Sequence, residues 1–311
     1  MADLINGLDN LDQRITVVYN VDTNEYYTEK YLTGELILYP TSFTPSKTGY
    51  TFVGWRSDTI ASATVLADST VATSSTILYA VFKKTLTASY NGNGNTGGST
   101  ASTTGIQYYN NGKTSNPSVA LASNGFTKTN YTFSKWAKGS ATGTEYAAGT
   151  NVTLSANTTF YAKWIRYLFN KKYVSGGVTA FTKQSGAGSK GACSLVEGSY
   201  FRMTSQWVSG QSLGNITCKS NSISIGSHTK LYYLVYIQIT STATKNQVCK
   251  IDIGGKSKSF TMPTSRTKFE GYIDISSLSG SKVITLDLDV GIYNYNNNKA
   301  TFDIVQLYLG D

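Results

Sequence analysis

Apolar side chains in this chain recur at every second position in short runs, and Gly, Asn, Ser and Thr separate the runs. Alternation of period two is what a strand with one buried face requires, so the pattern predicts strands joined by tight turns. Tyr50 and Phe52 alternate ahead of Trp55, and Tyr131 and Phe133 alternate ahead of Trp136. Each phrase is followed by a Ser/Thr/Ala-rich stretch and then a second apolar run, Leu78-Tyr79-Ala80-Val81-Phe82 or Phe160-Tyr161-Ala162-Lys163-Trp164. The copies lie 81 residues apart at the tryptophans and 82 at the closing tyrosines, which predicts one structural unit used twice, over 16–84 and 85–165. The large aromatics of both copies are read as core.

The opening residues follow a different period. Leu4, Leu8, Leu11 and Ile15 are spaced by four, three and four, with Asp3 placed to cap, which predicts an amphipathic helix over 1–15. A helix this short is marginal alone, so the stripe is expected to pack on the first β-module, on copies of itself in a homo-oligomer, or on another protein as an attachment segment.

From residue 166 to 311 a Gly/Ser-rich segment leads into further strand signals: Ser222 to Ile225, Lys230 to Ile239, Val248 to Ile253, Ser259 to Thr261, Lys268 to Ile275, Lys282 to Val290 and Thr301 to Leu309. Short strands at this spacing, divided by turns such as Gly254-Gly255 and Ser279-Gly280, predict a β-sandwich. The expected fold class is therefore all-β: two small repeat modules, a C-terminal sandwich and one short N-terminal helix.

Charge divides the chain unevenly. Through residue 165 there are 11 Lys/Arg against 10 Asp/Glu, and beyond it 16 against 8, so nearly all of the net +9 belongs to the last domain. A basic domain seeks anionic surfaces, and the candidates are nucleic acid, teichoic-acid-like wall polymers and acidic protein lattices. Nucleic acid is disfavoured, because no recognised module or dense Arg/Lys run accompanies the charge. The three cysteines, Cys193, Cys218 and Cys249, lack the paired spacing of a disulfide framework and are read as reduced, packed thiols. No signal-peptide pattern or membrane-length apolar run is seen, which predicts synthesis and assembly in a cytoplasm with no membrane partner.

Catalytic chemistry has few candidates. His228, the one histidine, lies in a Gly-Ser-His-Thr turn and is read as a solvated turn residue. Gly186 to Gly191 formally fits a dinucleotide glycine pattern but lacks the helix that would meet a pyrophosphate. Asp287 and Asp289 alternate on one strand without calcium-loop spacing. No catalytic residue, metal or cofactor is expected. Carbohydrate binding fits better, since sugars are held by flat aromatic faces and amide hydrogen bonds, and Tyr293, Tyr295, Asn296 and Lys299 provide these in one loop. Trp207 is read as core.

The phrases Gly49-Tyr50-Thr51-Phe52-Val53-Gly54-Trp55 and Leu78-Tyr79-Ala80-Val81-Phe82, with their second copies, resemble the Listeria–Bacteroides, or internalin B, repeat. That resemblance covers about half the chain and implies small β-grasp-like modules with spacing or binding roles, as found in bacterial surface proteins and phage-encoded proteins. The second copy carries Asn130 and Lys135 where the first has Gly49 and Gly54, and the first opens with Tyr19-Asn20-Val21-Asp22 rather than a glycine turn. The C-terminal domain is similar, more loosely, to jelly-roll domains of phage tail and surface proteins. Together these imply a non-enzymatic virion surface protein, a capsid decoration, head fibre or tail adhesin. It would be assembled in the host cytoplasm beside other virion proteins and bind host wall glycan. A bacterial surface adhesin whose signal peptide has been removed is the alternative, and a wall hydrolase trails it.

Overall fold

The computed structural model describes residues 14–37, 44–186, 191–206, 215–240, 248–290 and 299–310, and every regular element among them is a β-strand. Two compact units divide the chain. The first contains Met1–Asn93, Ser99–Gly125 and Lys135–Ala162; the second contains Gly94–Gly98, Phe126–Ser134 and Lys163–Asp311.

In the first unit the longer strands are β1 (Ile15–Val21), β2 (Asn24–Tyr31), β3 (Thr51–Arg56), β4 (Thr76–Asn91), β5 (Thr103–Asn110), the second part of β6 (Thr132–Lys138) and the first part of β7 (Thr158–Asn170). Strand β1 pairs antiparallel with β2 and parallel with the start of β4, from Val17 opposite Thr76 to Asn20 opposite Tyr79. The same parallel pairing recurs one repeat later, where the end of β4 meets the start of β7 from Ala88 opposite Thr158 to Asn91 opposite Tyr161. One long strand thus closes the first repeat and opens the second. Trp55 packs edge-on against Tyr19, ring centroids 5.0 Å apart, and Trp136 lies 4.6 Å from Tyr90 with its Nε1 donating to Ala122 O. Both indoles are buried, as the alternation predicts.

Two of the departures from glycine keep the backbone conformation, whereas Lys135 does not take up the positive φ of Gly54 (+155°). Asn130 has φ +66° where Gly49 has +76°, and Tyr131 N donates to Lys128 O at the same 3.0 Å as Tyr50 N to Lys47 O. Asp22 (φ +57°) and Asn93 (φ +47°) hold matching places in the opening turns. Asn and Asp tolerate this left-handed region because a short polar side chain can hydrogen-bond locally.

The N-terminal expectation needs correction at Ile15. It opens β1, opposite Tyr31, rather than completing a helical stripe; Leu4, Leu8 and Leu11 lie outside the described residues. The run Ile15-Thr16-Val17-Val18 is β-branched throughout, and branching at Cβ favours the extended chain.

The second unit is a sandwich of two antiparallel sheets. Its strands are the end of β7, then β8 (Phe181–Gly186), β9 (Ala192–Val196), β10 (Tyr200–Gln206), β11 (Asn215–Ser220), β12 (Lys230–Ile239), β13 (Val248–Ile253), β14 (Lys256–Thr261), β15 (Thr267–Asp274), β16 (Ile284–Asp289) and β17 (Lys299–Gly310). One sheet runs β9-β10-β17-β12-β15, with the end of β7 alongside the second half of β17. The other runs β8-β11-β16-β13-β14. Strict alternation on β12 buries Leu231, Tyr233, Val235, Ile237 and Ile239 against Ile251, Leu286 and Leu288 of the facing sheet. Strands β8 to β10, read only as a mixed segment from the sequence, complete both sheets.

The cysteines are also corrected. Cys193 on β9 and Cys218 on β11 are joined by a disulfide, while Cys249 is free and buried, its thiol pushed well above the ordinary range by burial. Residues 25 apart carry no local pairing signal; the sandwich places β9 and β11 on facing sheets and so brings the two sulfurs together.

Candidate functional site

The outward face of the β9-β10-β17-β12-β15 sheet carries the densest aromatic and charged chemistry of the second unit. Inward positions take the aliphatic residues, so the intervening positions are expected to be polar. Four of them are instead tyrosines in one register line: Tyr167 on β7 is opposite Tyr308 on β17, which is opposite Tyr232 on β12, which is opposite Tyr272 on β15. Ring centroids are separated by 5.5, 4.8 and 5.7 Å along the row. Tyr232 and Tyr308 are stacked within 6° of parallel and so cover each other's faces. Tyr272, at the edge strand, is 53% exposed. The inner pair therefore stiffens the row, and the ring open to a ligand is Tyr272. Burial, with the neighbouring Tyr232, Tyr167 and Glu270, raises the Tyr308 phenol above its ordinary value, so it remains a neutral donor.

Tyr272 also borders a cavity of about 390 Å³ at the open edge of the sandwich, between β14 and β15. Lys256, Ser257, Lys258, Asp274, Ser276 and Ser277 supply its polar groups. Asp274 Oδ1 accepts from the Ser276 hydroxyl (2.6 Å) and Ser276 N (2.9 Å). Those bonds, with Lys256 and Lys230 nearby, hold its carboxyl below the usual range. Lys230, opposite Asp274, sets its ammonium 5.3 Å from the Tyr272 ring centroid. The volume lies at the small end of the roughly 300–1,000 Å³ typical of ligand sites.

Beyond the tyrosines along the same face, Gln306 donates to Asn170 Oδ1 at 2.9 Å. Further on, the fully buried Asp303 is gripped by Arg202 through Nε (2.6 Å) and Nη2 (2.7 Å), and by Arg266 Nη2 (2.8 Å). The guanidiniums in turn lie over Tyr200 and Tyr236, at 4.5 Å and 4.2 Å. Two arginines on one acid, each backed by a ring, lock the β10, β12 and β17 side chains of this face in place, Arg266 reaching in from just ahead of β15.

Of the residues singled out in the sequence, only some fall among the described residues. Tyr293, Tyr295, Asn296 and Trp207 lie outside the described residues, as do residues 187–190 of the glycine-rich segment. Lys299 is exposed and opens β17, its N donating to Thr240 Oγ1. It stands nine residues from Tyr308, about 30 Å along an extended strand, so it takes no part in the tyrosine row. His228 is corrected from solvated to buried: the turn at Gly226 (φ +58°) folds it in, 5.8 Å from the Tyr131 ring. Asp287 is engaged by Thr217 Oγ1 (2.7 Å) and Lys250 (3.4 Å), and no group of His, Cys, Asp or Glu among the described residues is placed to hold a metal.

Residues 16–81 and 87–163 each match the Listeria-Bacteroides repeat domain. Both repeats read from the sequence are therefore similar to that domain. Solved structures similar to the chain include a mutant of a family 29 carbohydrate binding module, at 14% identity and TM-score 0.28, covering 47% of this chain and 89% of that one. A second, described with the promiscuous specificity of carbohydrate-binding modules from the β-sandwich superfamily, has 10% identity and TM-score 0.31, covering 62% and 91%. Scores this low carry no argument about the site. No curated protein matches the chain.

Proposed function

We propose that the second unit is a non-enzymatic carbohydrate-binding module and that the tandem repeats present it as part of an adhesin. The observation that carries this reading is Tyr272, an exposed ring held at the end of a stiff tyrosine row and at the mouth of a cavity rich in hydroxyl and ammonium donors. A pyranose presents an apolar face of C–H groups and a rim of hydroxyls. A fixed aromatic face beside convergent donors and acceptors matches both. Pre-organisation matters because a ring already fixed loses little entropy on binding. The setting proposed is the surface of a virion assembled in the host cytoplasm, beside other virion proteins; a bacterial surface adhesin uses the same chemistry.

The test is retention of the full chain in affinity gels cast with purified bacterial wall polysaccharides. Tyr272→Ala is expected to weaken retention about tenfold or more, with an unchanged thermal unfolding midpoint, since the ring is solvent-facing. Undiminished retention of the folded variant would remove Tyr272 from the site and the proposal with it.

A further inference from the structure

The register of β14 puts charge where the alternation calls for apolar residues. Directly opposed residues in an antiparallel pair share a face, and on β14 Phe260 is opposite Cys249, Lys258 is opposite Ile251, and Lys256 is opposite Ile253. Cys249, Ile251, Ile253 and Phe260 are all buried. Lys256 and Lys258 therefore occupy the core-facing phase of this edge strand, and they remain exposed there because the cavity beside Tyr272 opens in front of them. Among the described residues neither lysine reaches an acid at ion-pair distance. The one acid lining the cavity, Asp274, is already engaged by Ser276. Inward-facing lysines on an edge strand have an ordinary use in blocking edge-to-edge pairing. That use requires no cavity, no ring and no hydroxyls around them.

We propose that this cavity binds the anionic substituent of a saccharide, a carboxylate or a phosphate, with Lys256 and Lys258 as its counter-charges and Tyr272 under the sugar ring. The inference rests on the glycan reading above and adds the class of ligand. Two ammonium groups against one occupied carboxylate leave the cavity with a net positive charge, and ammonium groups bind carboxylate and phosphate oxygens through charge-assisted hydrogen bonds. Ser257 and Ser277 supply neutral hydroxyls for the remaining sugar oxygens, and Ser276, whose O–H donates to Asp274, keeps its oxygen as an acceptor.

The experiment measures binding of the full chain to three polymers: a neutral wall polysaccharide, polygalacturonate and poly(glycerol phosphate). The proteins are wild type, Tyr272→Ala, the double variant Lys256→Gln/Lys258→Gln, and Lys30→Gln/Lys83→Gln, which removes the same charge from the first unit. The proposal expects the cavity double variant to lose about tenfold in affinity for an anionic polymer while the first-unit variant and neutral-polymer binding are unchanged. Whichever of the two anionic polymers shows that loss identifies carboxylate or phosphate as the source. Equal binding of anionic polymer by wild type and cavity variant, with Tyr272→Ala still impaired, overturns the anionic assignment and leaves the glycan reading standing. Unimpaired binding by all variants, or no binding by wild type, overturns both. Sedimentation of the cavity variant separates out the edge-guard role: self-association with unaltered polymer affinity overturns the proposal.

Discussion

At the scale of single residues, two acids show how environment decides what a carboxylate contributes. Asp58 accepts from Arg56 Nε (2.6 Å) and Nη2 (2.8 Å) and from Ile60 N (3.0 Å), and these bonds, Arg56 first, lower its pKa from 3.8 to about 2. A folded-state value below the unfolded one means the stabilisation is complete above pH 3.8 and is lost as the pH falls through about 2. NMR titration should show the amides of residues 56–64 shifting with a midpoint at about pH 2, and Asp58→Asn should abolish that transition; a midpoint near 4 in the wild type would mean the Arg56 pair is not formed. Asp303 is the buried case. Removing one partner of a buried pair typically costs about 3–5 kcal/mol. Here the orphaned guanidiniums reach water, with 31% and 42% side-chain exposure, so Asp303→Ala should cost about 2–3 kcal/mol in urea unfolding. A change below about 0.5 kcal/mol would show that the cluster does not hold the face.

At the scale of elements, the repeats show which turn residues are interchangeable. Gly49 and Asn130 hold the same left-handed turn, and so do Asp22 and Asn93. Asn130→Gly should be nearly neutral, whereas Asn130→Val should cost about 1–2 kcal/mol, because a β-branched side chain meets the preceding carbonyl at positive φ. Equal stabilities would mean the turn can reopen without strain. Strands were legible to the same degree as their alternation. The expected runs Lys230 to Ile239 and Val248 to Ile253 coincide with β12 and β13, because every second residue there is apolar and buried. Strands β8 to β10 were hidden: Thr182-Lys183-Gln184-Ser185 has no apolar phase, and its pairing to β11 is supplied by the neighbouring strand. Ile15 was misread because a spacing of four from Leu11 fits a helix as well as chance, while its own β-branched neighbours favour a strand.

At the scale of the whole molecule, the described residues of the two units have separate apolar cores, among them one around Tyr19, Trp55 and Phe82 in the first unit and one filled by both sheets of the sandwich in the second. Calorimetry of the full chain should therefore resolve two transitions. Trp55→Ala should lower one of them, and Leu286→Ala, by about 2–5 kcal/mol, the other. A single transition moved by both substitutions would show that the units unfold together. The net positive charge falls almost wholly after residue 165, so attraction of an anionic polymer should reside in the second unit and weaken above about 0.15 M salt, where the Debye length drops below about 8 Å. By itself the sequence determined the two repeats, the all-β class, the buried faces and the location of the charge, because periodicity and composition are properties of neighbouring residues. Only the tertiary structure decided that Tyr167, Tyr232, Tyr272 and Tyr308 form one row, that Cys193 meets Cys218, and that Lys256 and Lys258 line a cavity. Each depends on the register between strands distant in the chain, which the packing of whole sheets sets and no local pattern encodes.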